Sequence, residues 1–135
     1  MKLSTNFSLN EFFSPNDKGT TWKTRTPKAE LITALEIIRA AVNKPVHIES
    51  GVRSVERNTA IGGAKSSAHL TGEAADIWVN GMSNKALGNV IRTLYTAGQL
   101  PNLAYTYLIV GTSNTRVHVG VDKGTKRSSI WGPGY

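Results

Sequence analysis

Apolar residues in the first third of the chain recur at the spacing of helices. Ser8 and Glu11 are spaced as a capping box, which predicts a short helix that Pro15 ends. A longer helix is predicted to begin at Pro27, because proline is favoured at the first helical position, and to end at Asn43. Its buried face is predicted from the apolar residues that repeat at helical spacing, Leu31, Leu35, Ile38 and Val42.

Four later segments are predicted to be strands, and a hairpin turn, GTSN, joins the last two. They are PVHIESG (45–51), AADIWV (74–79), YTYLIVG (105–111) and TRVHVGVD (115–122). A helix capped by Ser83 lies between the second and third strands, whereas the Gly- and Ser-rich stretch 51–69 is predicted to be a loop. We therefore expect one α+β domain over residues 1–135, with helices packed on a small antiparallel sheet.

The composition limits the classes of protein to which the chain can belong. The chain has 135 residues, 39% of them hydrophobic, and no apolar run approaches the ~20 residues that span a bilayer. The N-terminus lacks the apolar core of a signal peptide, so we expect synthesis in the cytoplasm, release by another route and no membrane insertion. Cysteine is absent, which excludes disulfides, a thiolate nucleophile and Cys-ligated zinc.

The net charge of +7 favours an anionic partner. The basic residues are scattered, apart from a small cluster at 123–127, and they are not interleaved with aromatic residues as in nucleic-acid-binding proteins. We therefore expect an acidic polymer, rather than nucleic acid, as the partner. The chain is also expected to be a monomer.

Three side chains form a candidate metal site. His69 lies on a predicted turn, Asp76 in the strand that follows it, and His118 in the last strand. Two His and one Asp are a normal ligand set for a catalytic zinc, because three protein ligands leave the fourth position open. The residues that separate the first two ligands include small ones that permit a tight turn and leave space for a metal, Gly72, Ala74 and Ala75.

The spacing of these residues also has a purely structural interpretation. A His on a strand is more often a core or surface residue whose hydrogen bonds are made within the protein. Asp is also a common turn-capping residue, so Asp76 has that alternative role. His47 is assigned no ligand role, because it has no partner at ligand spacing. Spacing alone leaves both interpretations open.

A longer motif surrounds the candidate ligands. Ser67 to Asp76 reads Ser-x-His-x-x-Gly-x-Ala-x-Asp, preceded by VRS at 52–54 and GGA at 62–64, and followed by VHVGVD at 117–122. In these segments the chain resembles the M15 family of zinc peptidases, which cut D-amino-acid peptides of bacterial cell walls. The resemblance covers most of the chain. It implies a Zn²⁺ ion on His69, Asp76 and His118, and a peptidoglycan stem peptide as substrate.

The resemblance also implies roles for residues outside the metal set. Arg53 stands where the family holds the substrate carboxylate or the polarised carbonyl oxygen, with a surface arginine as the alternative. Ser67 is expected to support the turn at His69 or to contact the peptide. Arg127 and Trp131 resemble the Arg…Trp ending of the family, although core packing also explains Trp131.

The chain departs from the family at the general base. Members carry an acid three residues before the last zinc ligand or two residues after it, and these positions are Thr115 and Gly120 here. Asp122 is the first candidate, but four residues of strand span ~13 Å, so a bulge at Gly120 must bring it back. Glu49 is the second candidate, because its strand leads into the segment that carries Arg53.

Together these features predict a zinc metallopeptidase that hydrolyses stem peptides as a carboxypeptidase or endopeptidase, in the manner of a phage-type lysis or virion-associated enzyme. The departure at the base favours a different alternative, a cell-wall or protein binding module that keeps the zinc without turnover. A basic nucleic-acid binder with an incidental metal is a third interpretation, and the aromatic pattern argues against it.

Overall fold

The computed structural model describes residues 1–17, 19, 26–65, 67–111, 113–122 and 129–135. Two 3₁₀ helices, three α-helices and four strands lie in these residues. In chain order they are a 3₁₀ helix at Leu9–Phe12, α1 at Ala29–Val42, β1 at Val46–Ser50, α2 at Val55–Ala60, a second 3₁₀ helix at Ala68–Thr71, β2 at Ala74–Val79, α3 at Asn84–Thr96, β3 at Tyr105–Leu108 and β4 at Val117–Gly120. The predicted α+β class is confirmed. None of the described helices is long and apolar enough to cross a membrane.

The four strands form one antiparallel sheet in the order β1-β2-β4-β3. The predicted hairpin between β3 and β4 is confirmed, and its connection includes Ser113 and Asn114, both with positive φ. The register is regular except at one β-bulge in β1, between Ile48 and Ser50. This bulge leaves Glu49 opposite no residue of β2.

The two faces of the sheet differ in chemistry. One face is apolar and shares a buried core with α1 and α3, whose central members are Leu31, Leu35, Ile38, Ile77, Val79, Leu87, Ile91, Val117 and Val119. The alternation of strands places the remaining residues of β2, β3 and β4 on the opposite face. Asp76, Trp78, Tyr107 and His118 therefore share that opposite face.

The helix ends follow local chemistry, with two differences from the prediction. The first helix is a 3₁₀ turn, in which the Glu11 carboxylate accepts from the N–H of Ser8 at 2.6 Å. α1 begins at Ala29 rather than Pro27, with Lys28 as N-cap, and it ends where Asn43 adopts a left-handed conformation. α3 is capped as predicted.

Residues 51–69, predicted to be a loop, contain α2 and the second 3₁₀ helix. Ser54 caps α2, because its hydroxyl accepts from the N–H of Arg57 at 3.1 Å. The Asp17 carboxylate in turn accepts from the N–H of Ser54 at 3.0 Å and from its hydroxyl at 2.6 Å. The short helix is thus fixed by a residue far away in the sequence.

The C-terminal tail, IWGPGY, covers the outer edge of β3. Thr106 donates its N–H to the carbonyl of Ile130 and accepts from the N–H of Gly132, both at 2.8 Å. Trp131 packs against the core and contacts the ring of Tyr135 in a tilted arrangement, with centroids 4.8 Å apart, which supports the packing interpretation of that residue. Arg127 lies outside the described residues.

Candidate metal centre

Three elements bring His69, Asp76 and His118 together. His69 comes from the second 3₁₀ helix, Asp76 from β2, and His118 lies directly opposite Asp76 in the register of β4. The Oδ1 atom of Asp76 is 2.9 Å from Nδ1 of His118 and 3.3 Å from Nε2 of His69. One candidate ligand atom from each residue lies within 4.8 Å of the others, so the three are able to hold one metal ion.

The environment of His69 fits a metal ligand. Its Nδ1 lies 2.7 Å from the carbonyl oxygen of Gly51, which accepts only if Nδ1 carries the proton. In the neutral ring Nε2 then holds a lone pair that faces the Asp76 carboxylate, and this buried atom has no hydrogen-bond partner among the described residues. Two acceptors that face each other at 3.3 Å require a cation or a proton between them.

Gly51 is needed where it supplies this carbonyl. A Cβ atom added there would lie 2.7 Å from the carbonyl oxygen of Phe12, closer than real contacts allow. Phe12 also accepts from the N–H of Val52 at 2.8 Å, so the two segments are tied together at that point. Any side chain at Gly51 therefore displaces the acceptor of His69.

The electrostatics of the site favour an ionised Asp76. Burial raises the pKa of Asp76, but the hydrogen bond with His118, together with the attraction of both imidazoles when they are protonated, outweighs burial and holds the pKa well below its ordinary value. A carboxylate that is ionised and nearly buried is a good ligand for a divalent cation.

The turn between the first two ligands depends on local hydrogen bonds and one glycine. The hydroxyl of Ser67 accepts from the N–H of His69 at 3.3 Å, and Gly72 ends the 3₁₀ helix with a φ of 74°. Ser67 thus supports the turn at His69, and its contact with a peptide stays a prediction. Ala75 faces the apolar core rather than the metal site, so its small size does not serve the ligands directly.

Arg53 lies beside the metal ligands and is held in place from several sides. Its side chain is 12% exposed, with Nη2 3.9 Å from Oδ2 of Asp76. Nη1 donates to Oδ1 of Asn58 at 2.9 Å, Nε donates to Ser50 at 3.3 Å, and the backbone N–H donates to the carbonyl of His69. The guanidinium is therefore oriented before any substrate arrives.

The GGA segment has a structural reason that involves Arg53. Asn58 donates to the carbonyl of Ala64 at 2.8 Å while its oxygen accepts from Arg53. A Cβ atom at Gly63 would lie 2.1 Å from this oxygen and 3.0 Å from Nη1 of Arg53. Gly63 thus gives the amide the space from which it orients the guanidinium.

Sequence reasoning missed Tyr107. Its ring stacks on His118, with a centroid distance of 4.5 Å and an interplanar angle of 13°, and the two residues are directly opposite in β3 and β4. The alternation of Tyr105 and Tyr107 in YTYL was the available signal, because both face the same side as His118 once the hairpin register is known. Tyr107 restricts the rotation of a candidate ligand.

The structure places the candidates for the general base apart from one another. β4 pairs regularly with both neighbours up to Gly120, the chain bends at Val121, and Asp122 is exposed just beyond the bend, so the role of Asp122 stays a prediction. Glu49 lies at the β1 bulge and forms an ion pair with Nη2 of Arg116 at 3.3 Å. Thr115 accepts from the same guanidinium at 2.6 Å.

A protein-family model described as Peptidase M15 matches residues 5–120 of this chain. The match includes the three candidate ligands, Arg53 and the whole sheet, and it ends before Asp122. No curated protein matches the chain.

Proposed function

Because the chain belongs to the M15 family, whose members are metallopeptidases, we propose that it is a zinc-dependent hydrolase of peptide bonds in peptidoglycan stem peptides. The observation that supports this proposal best is the convergence of His69, Asp76 and His118, with the buried Nε2 of His69 directed at a carboxylate. The proposed domain covers residues 1–135.

Zinc is the proposed ion because the donor set consists of two ring nitrogens and one carboxylate oxygen, without thiolates. Three protein ligands leave a coordination position for the reacting group. Bound zinc supplies a Lewis acid that polarises a carbonyl group and lowers the pKa of a water molecule.

We assign to Arg53 the binding of the substrate carboxylate or of the scissile carbonyl oxygen. A guanidinium forms strong charge-assisted hydrogen bonds with either group. Its position beside Asp76, with its orientation fixed by Asn58 and Ser50, supports this assignment. Ser67 is proposed to contact the peptide from the turn that carries His69.

For the general base, Asp122 stays our first candidate and Glu49 our second. Asp122 follows β4 on the side of His118, whereas Glu49 lies at the bulge of β1 and is held by Arg116. A correctly placed base contributes about 10²- to 10⁴-fold to the rate, so single substitutions distinguish the two.

A binding module is the second candidate function. The observation that favours it is the absence of an acid at the two positions where the family carries its base, which are Thr115 and Gly120 here. Such a module keeps the zinc and binds the cell wall without cleavage.

One experiment separates the two functions. Purified zinc-loaded protein is incubated with peptidoglycan and with isolated stem peptides, with and without a chelator, and the products are identified by mass spectrometry. The Asp76→Asn variant serves as the inactive control. New peptide termini that disappear with chelator support the peptidase, whereas chelator-insensitive binding without any cleavage supports the module. The same products identify the bond that is cut, and activity on intact walls supports an enzyme that acts after release from the cell.

A further inference from the structure

A row of side chains lies beside the metal ligands on the same face of the sheet. Trp78 lies between the ring of His47 and the guanidinium of Arg116, with centroid distances of 4.3 Å and 4.7 Å. Arg116 reaches across Trp78 from the start of β4 and pairs with Glu49 of β1 at 3.3 Å. Three strands thus contribute to one composite surface, which we call the Trp78 row.

The Trp78 row is within reach of a ligand bound at the metal site. Trp78 and Arg116 each lie two residues from a candidate ligand, Asp76 on β2 and His118 on β4, and the same side of the sheet carries all four. Two residues of strand correspond to about 7 Å. A peptide with its scissile bond at the metal site therefore places a neighbouring side chain over this row.

The two charges of the row differ in exposure. The Glu49 side chain is 49% exposed, and His47 is exposed as well. The side chain of Arg116 is 16% exposed, and its guanidinium donates to Thr115 and pairs with Glu49 through its two terminal nitrogens. The row therefore offers one exposed anion and one partly exposed cation side by side.

This arrangement has a specific chemical complement. A ligand with a single charge can satisfy either Glu49 or Arg116 only by competing with their own ion pair. A ligand that carries an ammonium and a carboxylate on one carbon replaces the Glu49–Arg116 ion pair by two ion pairs, one with each residue. The methylene groups that precede such a head group are able to pack against the half-buried Trp78 and the exposed His47.

We propose that the Trp78 row is a substrate subsite for a stem-peptide residue whose side chain ends in an amino-acid zwitterion. Its carboxylate pairs with Arg116 and its ammonium with Glu49. This inference rests on the proposed function, since it names the side chain that the same peptidase site selects.

Three stem peptides that differ in one residue test the subsite. That residue is meso-diaminopimelate, which has both charges, lysine, which lacks the distal carboxylate, or norleucine, which lacks both charges. Catalytic efficiency is measured for the wild type, Arg116→Gln and Glu49→Gln. Glu30→Gln, the same chemical change in an exposed residue of α1, is the matched control.

We expect the wild type and the control to prefer the diaminopimelate peptide over the lysine peptide by about tenfold or more. Arg116→Gln should bring that ratio close to one, and Glu49→Gln should reduce the preference for diaminopimelate over norleucine. Equal rates for the three peptides in the wild type overturn the proposal. A uniform loss for all three peptides in Glu49→Gln, with unchanged ratios, also overturns it and identifies Glu49 as the general base instead.

Failure of the peptidase activity is distinguishable from failure of the subsite. If no peptide is cleaved, calorimetric binding of the three peptides to the zinc-loaded protein measures the same two ratios. A preference for diaminopimelate that depends on Arg116 retains the subsite in a binding module. The absence of any preference in binding rejects the subsite.

Discussion

The Nδ1–H group of His69 donates a hydrogen bond to the carbonyl oxygen of Gly51 at 2.7 Å. This bond fixes the tautomer of the ring and leaves Nε2 as the lone pair that faces Asp76. Backbone carbonyls commonly orient metal-binding imidazoles in this way. The site is therefore preorganised by main-chain atoms around His69 and by the register of β2 and β4 around the other two ligands.

Replacing Arg53 by alanine should reduce activity without removing the metal. The guanidinium is predicted to contact the substrate, and loss of its charge-assisted hydrogen bonds costs about 2–3 kcal/mol, which corresponds to a 30- to 150-fold lower kcat/KM. Zinc content and circular dichroism should match the wild type. Arg53→Lys is the matched control, because it keeps the positive charge and loses the planar guanidinium that Asn58 orients. An unchanged kcat/KM in Arg53→Ala returns Arg53 to a structural role.

The Asp17 carboxylate, which accepts hydrogen bonds from the N-cap residue Ser54 of α2, should make the free energy of unfolding depend on pH. Burial raises the pKa of Asp17, but hydrogen bonds from Ser54 and Gly19, aided by the charge of Arg57, outweigh burial and lower it. A lowered folded-state pKa means that the stabilisation is complete well above the unfolded value of 3.8 and is lost as the pH falls through the folded value.

Asp17→Asn should therefore lower the free energy of unfolding by about 1 kcal/mol at pH 7, and this difference should shrink below pH 4. Urea unfolding of the wild type and the variant at pH 7 and pH 3 measures this difference. Glu30→Gln is the control for the loss of an exposed acid. A difference that is equal at pH 7 and pH 3 contradicts the role of the ionised carboxylate.

The two candidates for the base make opposite predictions. If Asp122 is the base, Asp122→Asn should reduce kcat by about 10²-fold or more with zinc retained, and Glu49→Gln should leave kcat on the norleucine peptide nearly unchanged. The reverse result assigns the base to Glu49. Two active variants would show that neither carboxylate is the base.

The sequence predicted those helices and strands whose formation depends on neighbouring residues in the chain. Ser83 and its following residues predict α3, and the alternation of apolar residues predicts all four strands. The ligand set required the resemblance, because spacing alone does not distinguish a metal-binding His from a satisfied one. Only the register shows that Asp76 and His118 face each other.

The features that the sequence did not predict depend on residues far apart in the chain. α2 is capped by Ser54 but also tied to Asp17, and a Gly- and Ser-rich stretch gives no periodic signal for it. The β1 bulge arises from strand pairing. The alternation of residues along the sequence therefore did not predict the ion pair between Glu49 and Arg116. Tyr107 and Trp78 acquire their roles only from the strands beside them.

Zinc stoichiometry in wild type and His118→Ala tests the central claim most directly. Both proteins are purified, stripped with chelator, reloaded with zinc, desalted and analysed by mass spectrometry for metal and protein content. We predict one zinc ion per wild-type chain and none in His118→Ala, whereas His47→Ala, which removes a His outside the cluster, should retain one. One tightly bound zinc ion per chain of folded His118→Ala would contradict the ligand set and the account of the site built on it.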